Sequence, residues 1–141
     1  MTDKEIMKEF IPYNKNKIIG PRDPIRSEDV LILRNILTNE AEASEALNPK
    51  PYNGNYFRLA LFELGLCSAL RSGDLLSIRI NDVVDFQNNI VDSFLIRQSK
   101  TYDRVKKNLT VFIPKKTKEV LEKFVFKRPR SQYLFASWQL K

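Results

Sequence analysis

The sequence contains no histidine and a single cysteine, Cys67, among its 141 residues. Without histidine, the chain holds no Ser-His-Asp triad, no Cys-His nucleophile pair and no histidine-liganded metal site. One cysteine forms neither an internal disulfide nor a zinc cluster, so we expect a protein of the reducing cytoplasm. No apolar run approaches the roughly 18 residues of a membrane span. The amino terminus is mixed in charge, so we expect neither a signal peptide nor a membrane partner.

Positive charge is abundant and is concentrated in the last third of the chain. There are 24 Lys and Arg residues against 17 Asp and Glu, and the formal net charge is +7. Residues 97–130 hold 12 of the basic residues and only three of the acidic ones, whereas residues 1–96 are slightly acidic. A basic surface attracts polyanions such as nucleic acid. The alternative is a Lys-rich solvated surface that binds nothing, and composition alone leaves both open.

Apolar periodicity predicts a mostly helical α+β domain over residues 25–141, preceded by a tail or wrapping arm over residues 1–24. Helical spacing and capping signals predict helices at Ser27–Leu37, at Tyr56–Leu66, from about Ser72 with that serine as the cap, and at Thr117–Phe126. Residues 38–47 are consistent with either a helix or a loop. After these first helices, the spacing of apolar residues changes to every second position. This spacing predicts a three-stranded antiparallel meander formed by Val83–Phe86, Ile90–Gln98 and Val105–Ile113.

Four short segments follow one another in an order that is typical of one enzyme family. They are Leu70-Arg71-Ser72-Gly73-Asp74-Leu75 after an apolar helix, Ile96-Arg97-Gln98-Ser99-Lys100-Thr101, Leu109-Thr110-Val111-Phe112-Ile113-Pro114, and Tyr133-Leu134-Phe135. In this order and spacing they resemble the first half of the catalytic domain of tyrosine recombinases, the phage integrase family. The resemblance covers about Ser27 to Ser137.

The resemblance implies site-specific cleavage and rejoining of double-stranded DNA through a 3′-phosphotyrosyl link, without metal or cofactor. That activity belongs to DNA recombination and integration by mobile elements of bacteria and phages. By the same resemblance, Arg71 contacts the scissile phosphate and Lys100 protonates the leaving 5′ oxygen, while Asp74 supports Arg71. The DNA-binding residues implied are Arg97, Lys100, Arg104, Lys106 and Lys107.

The chain also departs from the family in ways that bear on activity. The family completes its active site with a His-x-x-Arg box, a further His or Trp, and a tyrosine nucleophile, all of which follow the Leu-Phe segment. This chain has no histidine, and neither Tyr102 nor Tyr133 stands at the nucleophile's position. We therefore expect the chain alone to be inactive. The alternative functions are a non-catalytic DNA-binding or regulatory module, and a protein-interaction remnant that self-associates or docks a missing carboxyl-terminal half.

Each candidate residue also has a purely structural explanation. Arg71 could pair with Asp74 or Asp82, and Asp74 could simply complement the helix dipole. Lys100 could be an ordinary exposed turn lysine, and the cations around it could keep a β-hairpin soluble.

Overall fold

The structure, a computed structural model, describes residues 24–47, 56–100, 102–127 and 131–136. The fold is mixed α+β and mostly helical, with one small antiparallel sheet. In chain order the elements are α1 (Ser27–Leu47), α2 (Phe57–Ser68), α3 (Ser72–Leu76), α4 (Ile80–Val83), β1 (Ser93–Ile96), α5 (Tyr102–Val105), β2 (Leu109–Phe112) and α6 (Lys115–Val125). The predicted arm lies outside the described residues except for Pro24.

Helix α1 begins at the predicted residue, Ser27, but continues ten residues beyond the predicted end. Glu28 and Asp29 lie in its first turn, where carboxylates stabilise the positive end of the helix dipole. The segment after Leu37 is rich in alanine and glutamate, which have high helix propensity even without an apolar period. Only Ala41 is fully buried, so α1 packs less closely against the domain than the other long helices.

Helices α2 and α6 pack against each other and carry the centre of the core. Their most deeply buried apolar side chains are Leu59, Ala60, Leu64, Leu121 and Phe124. The rings of Phe124 and Phe135 stack with centroids 5.7 Å apart, and Phe57 meets both edge-on at 5.9 and 5.8 Å. The helices predicted here are confirmed, with boundaries that differ by at most two residues, because apolar side chains at helical spacing dominate both segments.

The sheet has two strands rather than the predicted three. Strands β1 and β2 pair in antiparallel register, with Phe94 opposite Val111 and both side chains buried. The first strand of the predicted meander, Val83–Phe86, is not a strand of this sheet. It forms one isolated bridge, between Val84 and Ile90.

A capped helical turn that ends at Val83 and a second turn at Asp85 replace the predicted strand Val83–Phe86. The Asp82 carboxylate accepts the backbone N–H of Arg79 at 2.9 Å, which starts α4 four residues before Val84. Asp85 then accepts the N–H groups of Gln87 and Asn89 at 2.8 and 2.9 Å and so forms the turn that precedes β1. Local side-chain caps therefore outweigh the β propensity of the valines in this stretch.

The last described segment closes the core. The N–H of Leu134 donates to the carbonyl of Ile78 and the N–H of Ile80 donates to the carbonyl of Gln132, both at 2.9 Å. Leu134 is fully buried and Phe135 is nearly so. The segment thereby fixes the stretch of chain between α3 and α4.

Candidate nucleic-acid interface

Arg71 lies at the junction of α2 and α3. Ala69 ends α2 in the left-handed conformation, with φ at 51°, and its N–H donates to the Gly65 carbonyl at 3.0 Å. Arg71 then takes an extended conformation and its carbonyl accepts the N–H of Leu75 at 2.8 Å, so Arg71 is the N-cap residue of α3. Ser72, the predicted cap, is instead the first helical residue, and no side chain caps the helix.

The Arg71 side chain is exposed and forms no ion pair with any other residue that the structure describes. It pairs with neither of the carboxylates that a structural role would require. Asp82 instead accepts the backbone N–H of Arg79. The planar guanidinium of Arg71 is therefore available to an anion, and its geometry suits two oxygens of one phosphate.

Asp74 connects α3 to the turn that carries Lys100. Its side chain is buried, with a relative exposure of 2%, and its Oδ1 accepts the N–H of Ser99 at 3.1 Å. Its Oδ2 is also buried and has no hydrogen-bond partner. The resemblance implied that Asp74 supports Arg71 directly. Instead, the carboxylate fixes the residue next to Lys100 against the helix that Arg71 begins.

Lys100 lies exposed in the turn that follows β1. It makes no ion pair within the part of the chain that the structure describes. The connection between β1 and β2 spans residues 97–108 and is longer than the predicted polar turn, Ser99–Arg104, because it contains α5. Val105, predicted to begin a strand, is the last residue of α5. Lys106 follows α5 with φ at 55°, a left-handed residue that lets the chain turn into β2.

We call Arg71 and the cations on both sides of this turn the basic end; its members are Arg71, Arg97, Lys100, Arg104, Lys106 and Lys107. All six side chains are exposed. Asp103 lies 3.8 Å from Arg97 and 3.6 Å from Lys106, in pairs whose members are all more than 60% exposed. Exposed pairs of this kind are weak, so a phosphate can replace the carboxylate. Positive charge therefore dominates this end of the fold.

A second group of basic residues lies at the start of α6. A cleft of about 440 Å³ there is lined by Arg34, Glu63, Leu66, Cys67, Pro114, Lys115, Lys116 and Thr117. Arg34 donates to both carboxylate oxygens of the buried Glu63, and this hydrogen bonding raises the Arg34 pKa. Lys118 pairs with Asp92. Arg34 and Lys118 are thus already neutralised by partners within the fold.

Cys67 and Tyr133 have structural contacts in the fold. Cys67 is partly buried and packs against the core, its Sγ lies 3.4 Å from the Leu64 carbonyl, and burial raises its pKa. A raised pKa lowers the thiolate fraction, which lowers the reactivity of the thiol at neutral pH. Tyr133 forms a backbone bridge with Arg79 at the edge of the core. The side chain of Tyr102 and all of Trp138 lie outside what the structure describes.

Among the described residues, no three His, Cys, Asp or Glu side chains come together as a metal site. No described helix is long and apolar enough to cross a membrane. No family model matches the chain, and comparisons with curated proteins and with solved structures give no significant match.

The hydrogen bond between Ser99 and Asp74 could not be predicted from the sequence. Asp74 and Ser99 are 25 residues apart, and neither belongs to a periodic pattern that would place one beside the other. The only available signal was an aspartate in the first turn of a short helix, which the dipole explains equally well. The pairing becomes evident only once α3 and β1 are placed in space.

Proposed function

We propose that this chain binds double-stranded DNA through the basic end. The observation that carries the proposal is the hydrogen bond from the Ser99 N–H to Asp74 Oδ1. It holds the Lys100 turn against α3, so that two exposed and unpaired cations, Arg71 and Lys100, belong to one surface. Lysine and arginine side chains that contact phosphates supply affinity and position on the duplex and carry little sequence information. We therefore expect weak binding with little sequence preference.

We further propose that this surface belongs to the first half of a tyrosine recombinase catalytic domain. In that reaction the nucleophilic tyrosine oxygen bonds to phosphorus, the bond from phosphorus to the 5′ oxygen breaks, and Lys100 gives a proton to that oxygen. Arg71 stabilises the charge that builds on the non-bridging oxygens. No metal or cofactor is needed. The absence of histidine means that the remaining groups come from elsewhere, and the same surface also fits a DNA-binding module that cuts nothing.

A salt titration tests DNA binding. The change in fluorescence anisotropy of a labelled 20-base-pair duplex, measured between about 50 and 200 mM salt, gives the slope of log affinity against log salt. Five or six phosphate contacts predict a slope of about −5. The double variant Arg104→Gln/Lys107→Gln should reduce the slope by about two. No binding at low salt, or affinity independent of salt, contradicts the proposal.

Arg58→Gln is the matched control for the loss of positive charge. Arg58 is exposed and pairs with Glu40 of α1 at 3.7 Å, away from the basic end. Its replacement should leave the slope unchanged. If Arg58→Gln lowered affinity as much per lost charge as the basic-end double variant does, binding would follow net charge alone.

Strand cleavage is tested separately with suicide DNA substrates, which trap a covalent protein–DNA adduct. The chain alone should form none. An adduct at Tyr102 or Tyr133 would overturn the assignment of residues.

In an intact parent enzyme, a 5′-thiolate leaving group should rescue Lys100→Ala but not Arg71→Ala. A thiolate leaves without a proton, whereas the phosphorane still needs its charge stabilised. Equal rescue of the two variants would mean that their roles are divided wrongly.

A further inference from the structure

Helix α1 has a row of apolar side chains on the side that faces away from the core. Ile32 and Ile36 are 57 and 49% exposed, and Leu47, at the end of the helix, is 87% exposed. Their spacing of 4 and 11 positions places them on one side of an α-helix. On the opposite side, Ala41 is buried and Arg34 pairs with α2. We call this row the outer face of α1, and such a row is typical of a surface on which another helix packs.

Acidic side chains border the outer face. Around the helix axis, Glu28 and Glu42 lie to one side of the row and Glu40 lies to the other, while Asp29 lies at its amino-terminal end. All four are exposed. Glu40 also pairs with Arg58 at 3.7 Å, but both side chains are more than half exposed, so this pair is weak. The outer face is therefore an apolar row with acidic edges.

The charge of these edges indicates which class of partner can cover the row. A second copy of α1 would bring like charges together, and carboxylates also repel DNA and anionic membranes. The chain as a whole carries a net charge of +7, so a basic partner is attracted to α1 and repelled by the basic end. We propose that the outer face of α1 binds an amphipathic helix of a partner protein, in which lysine or arginine flanks an apolar row. This proposal is independent of the DNA-binding function.

The length of α1 allows packing of one helix along another. Its 21 residues extend over about 30 Å, and the row from Ile32 to Leu47 covers about 22 Å of that length. A partner helix of about three heptads spans this distance. The apolar row of the partner would then contact Ile32 and Ile36 at the centre. Its flanking cations would meet the acidic edges, as charged residues do beside the seam of a coiled coil.

A titration of the full chain with synthetic peptides, followed by fluorescence anisotropy, tests the proposal. The probe is a labelled peptide of about 21 residues that repeats the heptad Lys-Ile-Ala-Ala-Leu-Lys-Ala. It should bind saturably with one peptide per chain, and added salt should weaken the binding. The control is a scrambled peptide of the same composition, which has the same charge but no apolar row. It should bind at least about tenfold more weakly, because charge alone supplies little affinity.

Two double variants change the two parts of the proposed surface separately. Ile32→Ser/Ile36→Ser removes the apolar contact and should weaken peptide binding about tenfold or more. Glu28→Gln/Glu42→Gln removes two charges from one edge and should weaken it about two- to thirtyfold. Both isoleucines are about half exposed or more, so their replacement should leave the domain folded. If circular dichroism showed that it does not, Leu47→Ser would make the same test at the exposed end of the row.

Phe86→Ser is the matched control, because Phe86 is 93% exposed in the turn after α4. It should leave the affinity for the basic peptide unchanged. No binding at about 100 μM peptide, equal binding of the scrambled peptide, or binding that ignores the changes in the row would overturn the proposal. A dimer in light scattering that Ile32→Ser/Ile36→Ser abolishes would mean that a second copy covers the row and would also overturn it.

Discussion

Replacing Asp74 separates the two ways in which this carboxylate can influence DNA binding. Asp74→Ala removes a negative charge beside the basic end and raises the formal net charge of +7 by one. Electrostatics alone therefore predicts tighter binding of a polyanion. The same change removes the acceptor that holds the Ser99 N–H at 3.1 Å. If that hydrogen bond positions the Lys100 turn, binding should weaken instead, so the two explanations predict opposite signs.

The expected losses of folding stability and of DNA affinity in Asp74→Ala follow from the hydrogen bond and from the backbone order that it imposes on the turn. A hydrogen bond to a charged group contributes about 1.5–3 kcal/mol. The buried Oδ2 has no partner, and an unsatisfied buried group costs about 1–3 kcal/mol, so the net loss of folding stability should be under about 2 kcal/mol. Fixing the backbone of one turn residue costs roughly 1–2 kcal/mol. In Asp74→Ala the turn is no longer fixed before binding, so this cost is subtracted from the free energy of DNA binding. DNA affinity should fall about five- to thirtyfold.

Asp74→Asn is the matched variant. It removes the same charge but keeps an oxygen that can accept the Ser99 N–H, so its DNA affinity should equal or exceed that of the unaltered chain. Anisotropy at about 100 mM salt measures affinity, and the exchange rate of the Ser99 amide reports the turn directly. If Asp74→Ala bound DNA as tightly as Asp74→Asn, with unchanged exchange at Ser99, the positioning role would be refuted.

Three further predictions concern stability. Leu121→Ala should cost about 2–5 kcal/mol in urea unfolding because Leu121 is fully buried, whereas Phe86→Ala should change stability by less than about 0.5 kcal/mol. Arg34→Met should cost about 3–5 kcal/mol by leaving Glu63 buried and unpaired, and adding Glu63→Met should recover most of it. Burial raises the pKa of Cys67, so the fold favours the neutral thiol. The contribution of Cys67 to the free energy of unfolding should be complete below the unfolded pKa of about 8.5 and lost as pH rises through the higher folded pKa. Urea unfolding of Cys67→Ala at alkaline pH should no longer show this loss.

Sequence patterns predicted the elements that dominate the core and failed where local polar contacts decide the structure. The buried helix beginning near Tyr56 and the amphipathic helix ending near Phe126 were both evident from apolar spacing. The second half of α1 has no apolar period, so helix and loop were equally consistent with it. Val83 and Val84 favour a strand by propensity, yet the Asp82 cap places Val83 in a helix.

For the candidate site, the sequence predicted the position of individual residues but not their connection. Arg71 lies at the start of a short helix and Lys100 lies in a turn, as expected. The resemblance assigned the carboxylate of Asp74 to the support of Arg71. The structure shows a hydrogen bond to this carboxylate from Ser99, which lies in the turn after β1, and no local pattern indicates that this turn meets α3.

The most direct test of the account is a hydrogen-exchange footprint of the full chain with and without a 20-base-pair duplex at low salt. DNA should slow amide exchange in residues 97–107 and in residues 71–76, on both sides of the Asp74–Ser99 contact, and should leave residues 31–36 of α1 unchanged. Protection confined to α1, or no protection anywhere at saturating DNA, would contradict the proposal that the basic end binds DNA.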